Sequence, residues 1–304
     1  MIIAITGGTG FIGNLLVNKH LDQGDQVRLL SRKINPKRKG ITYVIGDLSN
    51  PNINFYNFLD EVDILYHCAG EVNNQYLMKE LHVNGTQKLI DEAQGKIGRW
   101  VQLSSVGAYG EYRNGIITEN SVEKPIKTYE KTKTESDHIV INSGIPFVIL
   151  RPSSVFGNEM PNQSLRDLLY VVRKGLFFFI GKKNNFFVNY IHVDEVIDVL
   201  MNIGTNSKAL GEVFNLSQST TVESMIATFL SEVTFNKKIF RLPERTVRLI
   251  VSVLGWIPKF PLTSSRVDAL TNKCIYSSTK IQKKLRFNYS MTLEERLKLF
   301  AKQK

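Results

Sequence analysis

Short, nearly continuous apolar runs recur through the first half of the chain. They fall at Ile2–Ile5, Gln26–Leu30, Thr42–Ile45, Asp63–His67, Trp100–Ser104 and Pro146–Leu150. They do not alternate strictly with polar residues, as expected for strands buried on both faces. Amphipathic stretches at Phe11–Gln23, Gln75–Gln94 and Glu130–Asn142 separate them and predict helices. Strand–helix alternation implies crossover units, and hence an α/β fold built on a doubly wound parallel sheet.

After Arg151-Pro152 the pattern changes. Helical periodicity dominates at Gln163–Lys174, Asp194–Asn202, Val222–Val233, Glu244–Leu254 and Leu293–Ala301, with brief strands near Phe186–Ile191 and Val213–Leu216. The expected organisation is a dinucleotide-binding core over residues 1–157, to which 186–203 and 211–217 return. Residues 158–304 would form a smaller, mostly helical substrate lobe.

Thr6-Gly7-Gly8-Thr9-Gly10-Phe11-Ile12-Gly13 follows the first strand and opens a helix. Glycines there permit a tight turn and let backbone N–H groups approach a pyrophosphate, while the helix N-terminus favours negative charge. Strand before and helix after make this a dinucleotide loop of a Rossmann-like fold. At the end of the second strand, Ser31-Arg32-Lys33 stands where a carboxylate would bind a ribose 2′-hydroxyl. Arg32 can fork onto a 2′-phosphate, so NADP(H) is favoured, with NAD(H) still open.

The chain has 304 residues and a formal net charge of +11. Basic residues are spread apart from Arg32–Lys39 and Lys280–Arg286, and no aromatic interleaving suggests a nucleic-acid partner. Cys68 and Cys274, the two cysteines, imply neither a disulfide framework nor a metal cluster. Met1 runs straight into the first strand, so no signal peptide is expected and a cytoplasmic location follows. The apolar stretch Val247–Leu262 is too short and too interrupted to be a transmembrane segment.

Carbonyl–alcohol interconversion on a nicotinamide needs a proton donor or acceptor beside the hydride path. A tyrosine with lysine four residues on, on one helix face, can supply it. Three such pairs occur: Tyr129–Lys133, Tyr170–Lys174 and Tyr276–Lys280. Tyr129 opens a predicted helix and follows Ser105, which caps the fifth strand at the sheet edge where ligands bind. That context selects Tyr129 and Lys133.

These motifs resemble the extended short-chain dehydrogenase/reductase family of nucleotide-sugar epimerases, dehydratases and keto-reductases, over nearly the whole chain. The resemblance rests on Thr6–Gly13, Gly46-Asp47-Leu48, His67-Cys68-Ala69-Gly70, Val83-Asn84-Gly85-Thr86, Leu103-Ser104-Ser105 with Tyr109-Gly110, Arg151–Gly157 and Tyr190-Ile191-His192-Val193-Asp194. It implies that Ser105, with Ser104 as fallback, holds the substrate oxygen and that Tyr129 is the general acid or base. Lys133 would bind the nicotinamide ribose and depress the tyrosine pKa. It places the cofactor against Gly7, Gly10, Phe11, Ile12, Gly13, Ser31, Arg32, Asp47, Leu48, Cys68, Ala69, Gly70, Asn84, Pro152, Ser154 and Val155. Asn84 would order the active site. His192 is read as structural and Cys68 as a buried filler.

Two departures narrow the substrate. Val188 stands where nucleotide-sugar enzymes often carry a diphosphate-binding arginine, leaving Arg266 and Lys182 or Lys183 as candidates. Val106-Gly107 follows Ser105 where dehydratases carry an Asp-Glu pair. The expected function is NADPH-dependent reduction of a nucleotide-linked 4-keto-sugar in surface polysaccharide synthesis. A nucleotide-sugar 4-epimerase retaining NAD, and a reductase of a sterol-like or acyl ketone, stay open. Both Tyr129 and Lys133 are present, which argues against a non-catalytic dinucleotide sensor. The family resemblance also implies a homodimer through helices near Gln75–Gln94 and Glu130–Asn142.

Overall fold

A computed structural model describes all residues except 34–37, 51, 111, 113, 233–238, 255, 257–261 and 303–304. Parts of the Arg32–Lys39 cluster, the end of the predicted helix Val222–Val233 and much of the end of Val247–Leu262 therefore lie outside the described residues.

Seven parallel strands form the central sheet. β1 (Ile2–Thr6), β2 (Gln26–Ser31), β3 (Ile41–Ile45), β4 (Val62–His67) and β5 (Ile97–Leu103) are joined by Phe147–Pro152 and Glu212–Leu216. From one edge the order is Glu212–Leu216, Phe147–Pro152, β5, β4, β1, β2, β3. The order reverses beside β1, so β1 and β4 flank the switch point where a crevice opens at the strands' carboxyl ends. Ile3, Ala4 and Ile5 are fully buried, which explains the unbroken apolar run of the first strand.

Helices cover both faces. On one, α1 (Phe11–Asp22) and Val193–Thr205 bury Leu16, Val17, Val196 and Leu200 against the sheet, with Ile281 of Thr279–Leu285 in the same core. On the other, Phe55, Phe58, Leu89, Ile90, Trp100 and Val140 pack together. A separate core around Phe156, Leu169, Val172, Met225, Phe229 and Leu297 holds the smaller lobe. Its three-stranded sheet runs Gln218–Thr221, Phe187–His192, Ser154–Phe156.

Two local features shape the site. The predicted helix Gln75–Gln94 is interrupted. An α-helix Gln75–Lys79 passes through a π-helical turn, Glu80–Asn84, before the α-helix Gly85–Ala93 resumes. The helix predicted from Glu130 begins earlier and spans Thr128–Asn142. Glu130 Oε2 reaches back to accept the N–H groups of Ile126 and Lys127 at 2.9 and 3.0 Å, fixing the first turn in which Tyr129 sits. Strands Asn114–Ile117 and Lys273–Tyr276 pair in parallel, and helix Ser264–Leu270 lies just before the second of them; the sequence pattern did not predict these elements. Among the described residues no helix is long and apolar enough to cross a membrane.

Candidate active site

The glycine loop is shaped by what cannot be there. Gly7 has φ +68°, and a Cβ on it would come within 2.6 Å of the Ala69 nitrogen and 2.7 Å of the Cys68 carbonyl carbon. A Cβ on Gly13 would meet the Gly7 carbonyl oxygen at 2.3 Å. The loop therefore lies directly on Cys68-Ala69 with its backbone exposed, and α1 begins at Gly10 without a side-chain cap. That is a cradle for a pyrophosphate, and the residues present fit a dinucleotide. Phe11 reaches Gly157, where a Cβ would stand 3.2 Å from its ring, and Leu48 reaches Gly85, whose Cβ would be 2.9 Å from the Leu48 carbonyl oxygen. These contacts bring separated segments, from the glycine loop to residue 157, around the switch point.

The helix Thr128–Asn142 turns an unusually polar stripe inward. Thr132, Lys133, Ser136 and Asp137 are buried with Val140, and Tyr129 is half-buried at its start. Lys133 donates from Nζ to the Leu103 carbonyl at 2.7 Å, at the end of β5. Ser104 and Ser105 follow and diverge. The buried Ser104 hydroxyl donates to Asp137 at 2.7 Å, whereas half-buried Ser105 accepts the Gly107 N–H at 3.1 Å. A Cβ on Gly107 would lie 3.0 Å from Glu130 Cγ, so the turn after Ser105 leans on the helix beside Tyr129.

The Tyr129 hydroxyl has no hydrogen-bond partner among the described residues. Burial, and then the Asp137 carboxylate, push its pKa up to about 12. Lys133 does not take part in this shift; its ammonium donates to the Leu103 carbonyl. Burial lowers Lys133 itself, opposed by Asp137. The other two pairs are placed differently. Lys174 lies over the exposed ring of Tyr170, and Lys280 donates to the Val213 carbonyl and pairs with Glu212.

Behind the stripe runs a buried polar chain that sequence reasoning missed. His67 joins Thr6 at 2.8 Å through Nδ1 and Thr86 at 3.0 Å through Nε2. The Thr86 hydroxyl donates to the His82 carbonyl, so His67 Nε2 carries the proton and Thr6 donates to Nδ1. Ser136 and Gln102 extend the chain. His82 Nε2 accepts the Glu71 N–H at 2.8 Å, so its Nδ1–H donates to Thr132, whose hydroxyl donates to the Thr128 and Tyr129 carbonyls. The His82 ring also meets Tyr129 edge-on at 5.6 Å. Burial and the nearby Lys133 bring His82 down to about 3 and hold His67 far below the usual imidazole range. Both rings are neutral.

Asp137, fully buried, accepts from Arg151 Nε and Nη2 at 3.0 and 2.9 Å. Arg151 also reaches Glu123 and lies over the Tyr109 ring. Burial raises the Asp137 pKa against the lowering pull of Arg151 and Lys133.

The sequence model of the NAD dependent epimerase/dehydratase family matches residues 3–217. The chain belongs to that family. It is 24% identical over 261 residues to UDP-glucose 4-epimerase of Vibrio cholerae, covering 79% of this chain and 78% of that protein. It is 27% identical over 209 residues to the decarboxylating sterol-4-alpha-carboxylate 3-dehydrogenase of Mus musculus, covering 64% of this chain and 56% of the relative. The chain thus spans little more than half of that sterol enzyme. The crystal structure of UDP-glucuronic acid 4-epimerase from Bacillus cereus in complex with NAD superposes with a TM-score of 0.75 at 18% identity, covering 100% and 99% of the two chains. That likeness extends the epimerase/dehydratase fold through the smaller lobe.

Within this NAD-dependent epimerase/dehydratase frame, several expected contact residues have particular settings. Ser31 is buried and its hydroxyl donates to the Lys33 carbonyl, while Arg32 is exposed at the end of β2. Asp47 Oδ1 is occupied by the Ser49 N–H and hydroxyl. Asn84 is exposed, and its amide donates to Glu80 one turn back within the π-helical turn. Pro152 is buried, Val155 half-buried and Ser154 exposed. His192 accepts the Asp194 N–H as a helix cap. Cys68 is half-buried, and burial lifts its thiol to about 12.

The two proposed substrate cations separate. Lys182 lines a cavity of about 710 Å³ with Arg241, Arg245, Arg248 and Lys273. Arg266 lies outside that lining and pairs with Asp167 at 3.0 Å on the surface. Arg241, Arg245 and Arg248 were not singled out by sequence, because their spacing resembles that of an ordinary solvated helix start.

Proposed function

We propose that this protein is an NAD(P)-dependent reductase of a carbonyl group on an anionic, nucleotide-linked sugar. The reading rests above all on Tyr129 and Lys133 lying four residues apart on one helix, which Lys133 ties to the end of β5 just before Ser104-Ser105. Gly7, Gly10, Phe11, Ile12 and Gly13 would hold the pyrophosphate, with Asp47, Leu48, Cys68, Ala69, Gly70, Pro152, Ser154 and Val155 around the rest of the dinucleotide. A bound nicotinamide supplies the hydride. The half-buried Ser105 hydroxyl holds the carbonyl oxygen. Tyr129, kept protonated at neutral pH by burial and Asp137, donates the proton that turns this oxygen into a hydroxyl. Lys133, whose ammonium is held at the Leu103 carbonyl at the end of β5, would meet a ribose hydroxyl of the bound dinucleotide.

Arg32, exposed with no carboxylate beside it at the end of β2, supports NADP(H) as the exchanged reductant. Lys182, at the rim of its cavity, supports an anionic substrate in place of the residue replaced by Val188. The test is to incubate the enzyme with candidate 4-keto nucleotide sugars and NADPH and to follow the reduced-nicotinamide absorbance. Stoichiometric loss of NADPH supports reduction. Interconversion of two epimers without net cofactor change would make the enzyme an epimerase.

A further inference from the structure

The helix Glu244–Leu254 is apolar on two sides. Val247 and Val251 are buried in a small cluster with Ile180 and Val267. Leu249 and Val253, also four residues apart, face outward and are 65% and 57% exposed, and Trp256 just beyond is 80% exposed. A surface helix needs one apolar stripe to hold it to its core; a second outward stripe marks a binding face. Phe240 belongs to the same end of the lobe. It is 58% exposed and stacks on Phe178, which packs against the Val247 cluster.

Positive charge edges this ridge. Arg245, one turn before Leu249, is exposed and shares the cavity rim with Lys182, Arg241, Arg248 and Lys273. Arg241 pairs with Glu223, and Arg248 with Glu244 and Asp268. Lys182, Arg245 and Lys273 have no ion-pair partner among the described residues. A second copy of this chain would bring these cations against their equals. A neutral apolar partner would leave them uncompensated.

We propose that this face docks on the surface of an anionic lipid bilayer. Leu249, Val253 and Trp256 enter the boundary between headgroups and acyl chains, where an indole is favoured, and Arg245 and Lys273 lie against lipid phosphates. At 11 residues the helix lies on the bilayer and cannot span it. This docking is independent of which carbonyl the enzyme reduces.

The molecule carries its own reporter. Of the two tryptophans, Trp100 is fully buried and Trp256 is exposed, so a change in emission on docking reports Trp256. The full chain is mixed with phosphatidylcholine vesicles, with and without phosphatidylglycerol, and followed by co-sedimentation and tryptophan emission. Binding to the anionic vesicles, with a blue shift that salt reverses, is expected. Leu249→Asp/Val253→Asp should lower the bound fraction at least roughly tenfold, because two side chains lose their burial. It should leave Tm and NADPH turnover unchanged. Leu249→Ser/Val253→Ser, a milder change, should fall between and keeps the test open if the acidic variant fails to fold. Three results would overturn the proposal: wild type left in the supernatant with unshifted emission, equal binding by the folded variants, or a blue shift without vesicles that follows protein concentration and a doubled mass. The last would assign the face to a second copy.

Discussion

The Lys133 ammonium donates to the carbonyl oxygen of Leu103 at 2.7 Å, tying the helix of the proposed acid to the strand that ends in Ser104-Ser105. Lys133 is thus placed by the sheet rather than by Tyr129, and the two side chains are neighbours through their common helix face. The Tyr129 hydroxyl is left with its proton and without a partner among the described residues.

Tyr129→Phe should lower turnover by about 10²–10⁴-fold, the usual contribution of a positioned proton donor, with cofactor affinity nearly intact. Lys133→Ala should weaken both. Tyr170→Phe and Tyr276→Phe should leave turnover unchanged, since their lysines are engaged elsewhere. Steady-state rates and cofactor titrations check this. Reduction should also be insensitive to pH through neutrality and fall only as pH climbs toward the Tyr129 ionisation near 12.

Arg32→Ala should weaken NADP(H) binding while sparing NAD(H). A charge-assisted hydrogen bond to the 2′-phosphate contributes roughly 1.5–3 kcal/mol, or about 10- to 150-fold. Titration of both cofactors against both proteins decides it. Equal affinities in wild type would remove the argument for NADP(H).

Asp137→Ala should destabilise the fold by about 3–5 kcal/mol, because it removes the fully buried partner of Arg151 and leaves the guanidinium with Glu123 at its edge. Asp137→Leu combined with Arg151→Met should cost less than the single change. Urea unfolding midpoints with constant slope measure both.

His82 should make the protein acid-sensitive. Its folded pKa, about 3, lies below the ordinary imidazole value of about 6.5, so the unfolded chain binds the extra proton between these limits. The stabilising contribution is complete above about 6.5 and is lost as pH falls toward about 3. His82→Gln can accept from Glu71 and donate to Thr132 without titrating. It should flatten the dependence of stability on pH in this window, leaving a smaller slope from the other shifted groups, buried His67 and His20 among them.

Much of this was legible because it is local. Strands buried on two faces announce themselves as apolar runs, and the first six were placed within a few residues of their observed ends. Ser105, Tyr129 and Lys133 could be singled out because strand end and helix start are visible in sequence. The π-helical turn was not legible: one extra residue leaves the apolar spacing of 75–94 looking like a single helix. The parallel pair Asn114–Ile117 and Lys273–Tyr276 joins two four-residue segments far apart in the chain, with no periodicity of their own. Thr6, His67, Thr86, Gln102 and Ser136 are individually ordinary polar residues, and only their common burial makes them a chain.

The core beneath β1 has a further consequence. Ile3 and Ile5 pack in one cluster with Phe214, Ile281 and Leu285, which lie far along the chain. On a ribosome that cluster stays incomplete until residue 285 has emerged, long after the cradle and Tyr129 have left the exit tunnel. The half that carries Tyr129 must therefore wait in a partly open form until those later residues arrive.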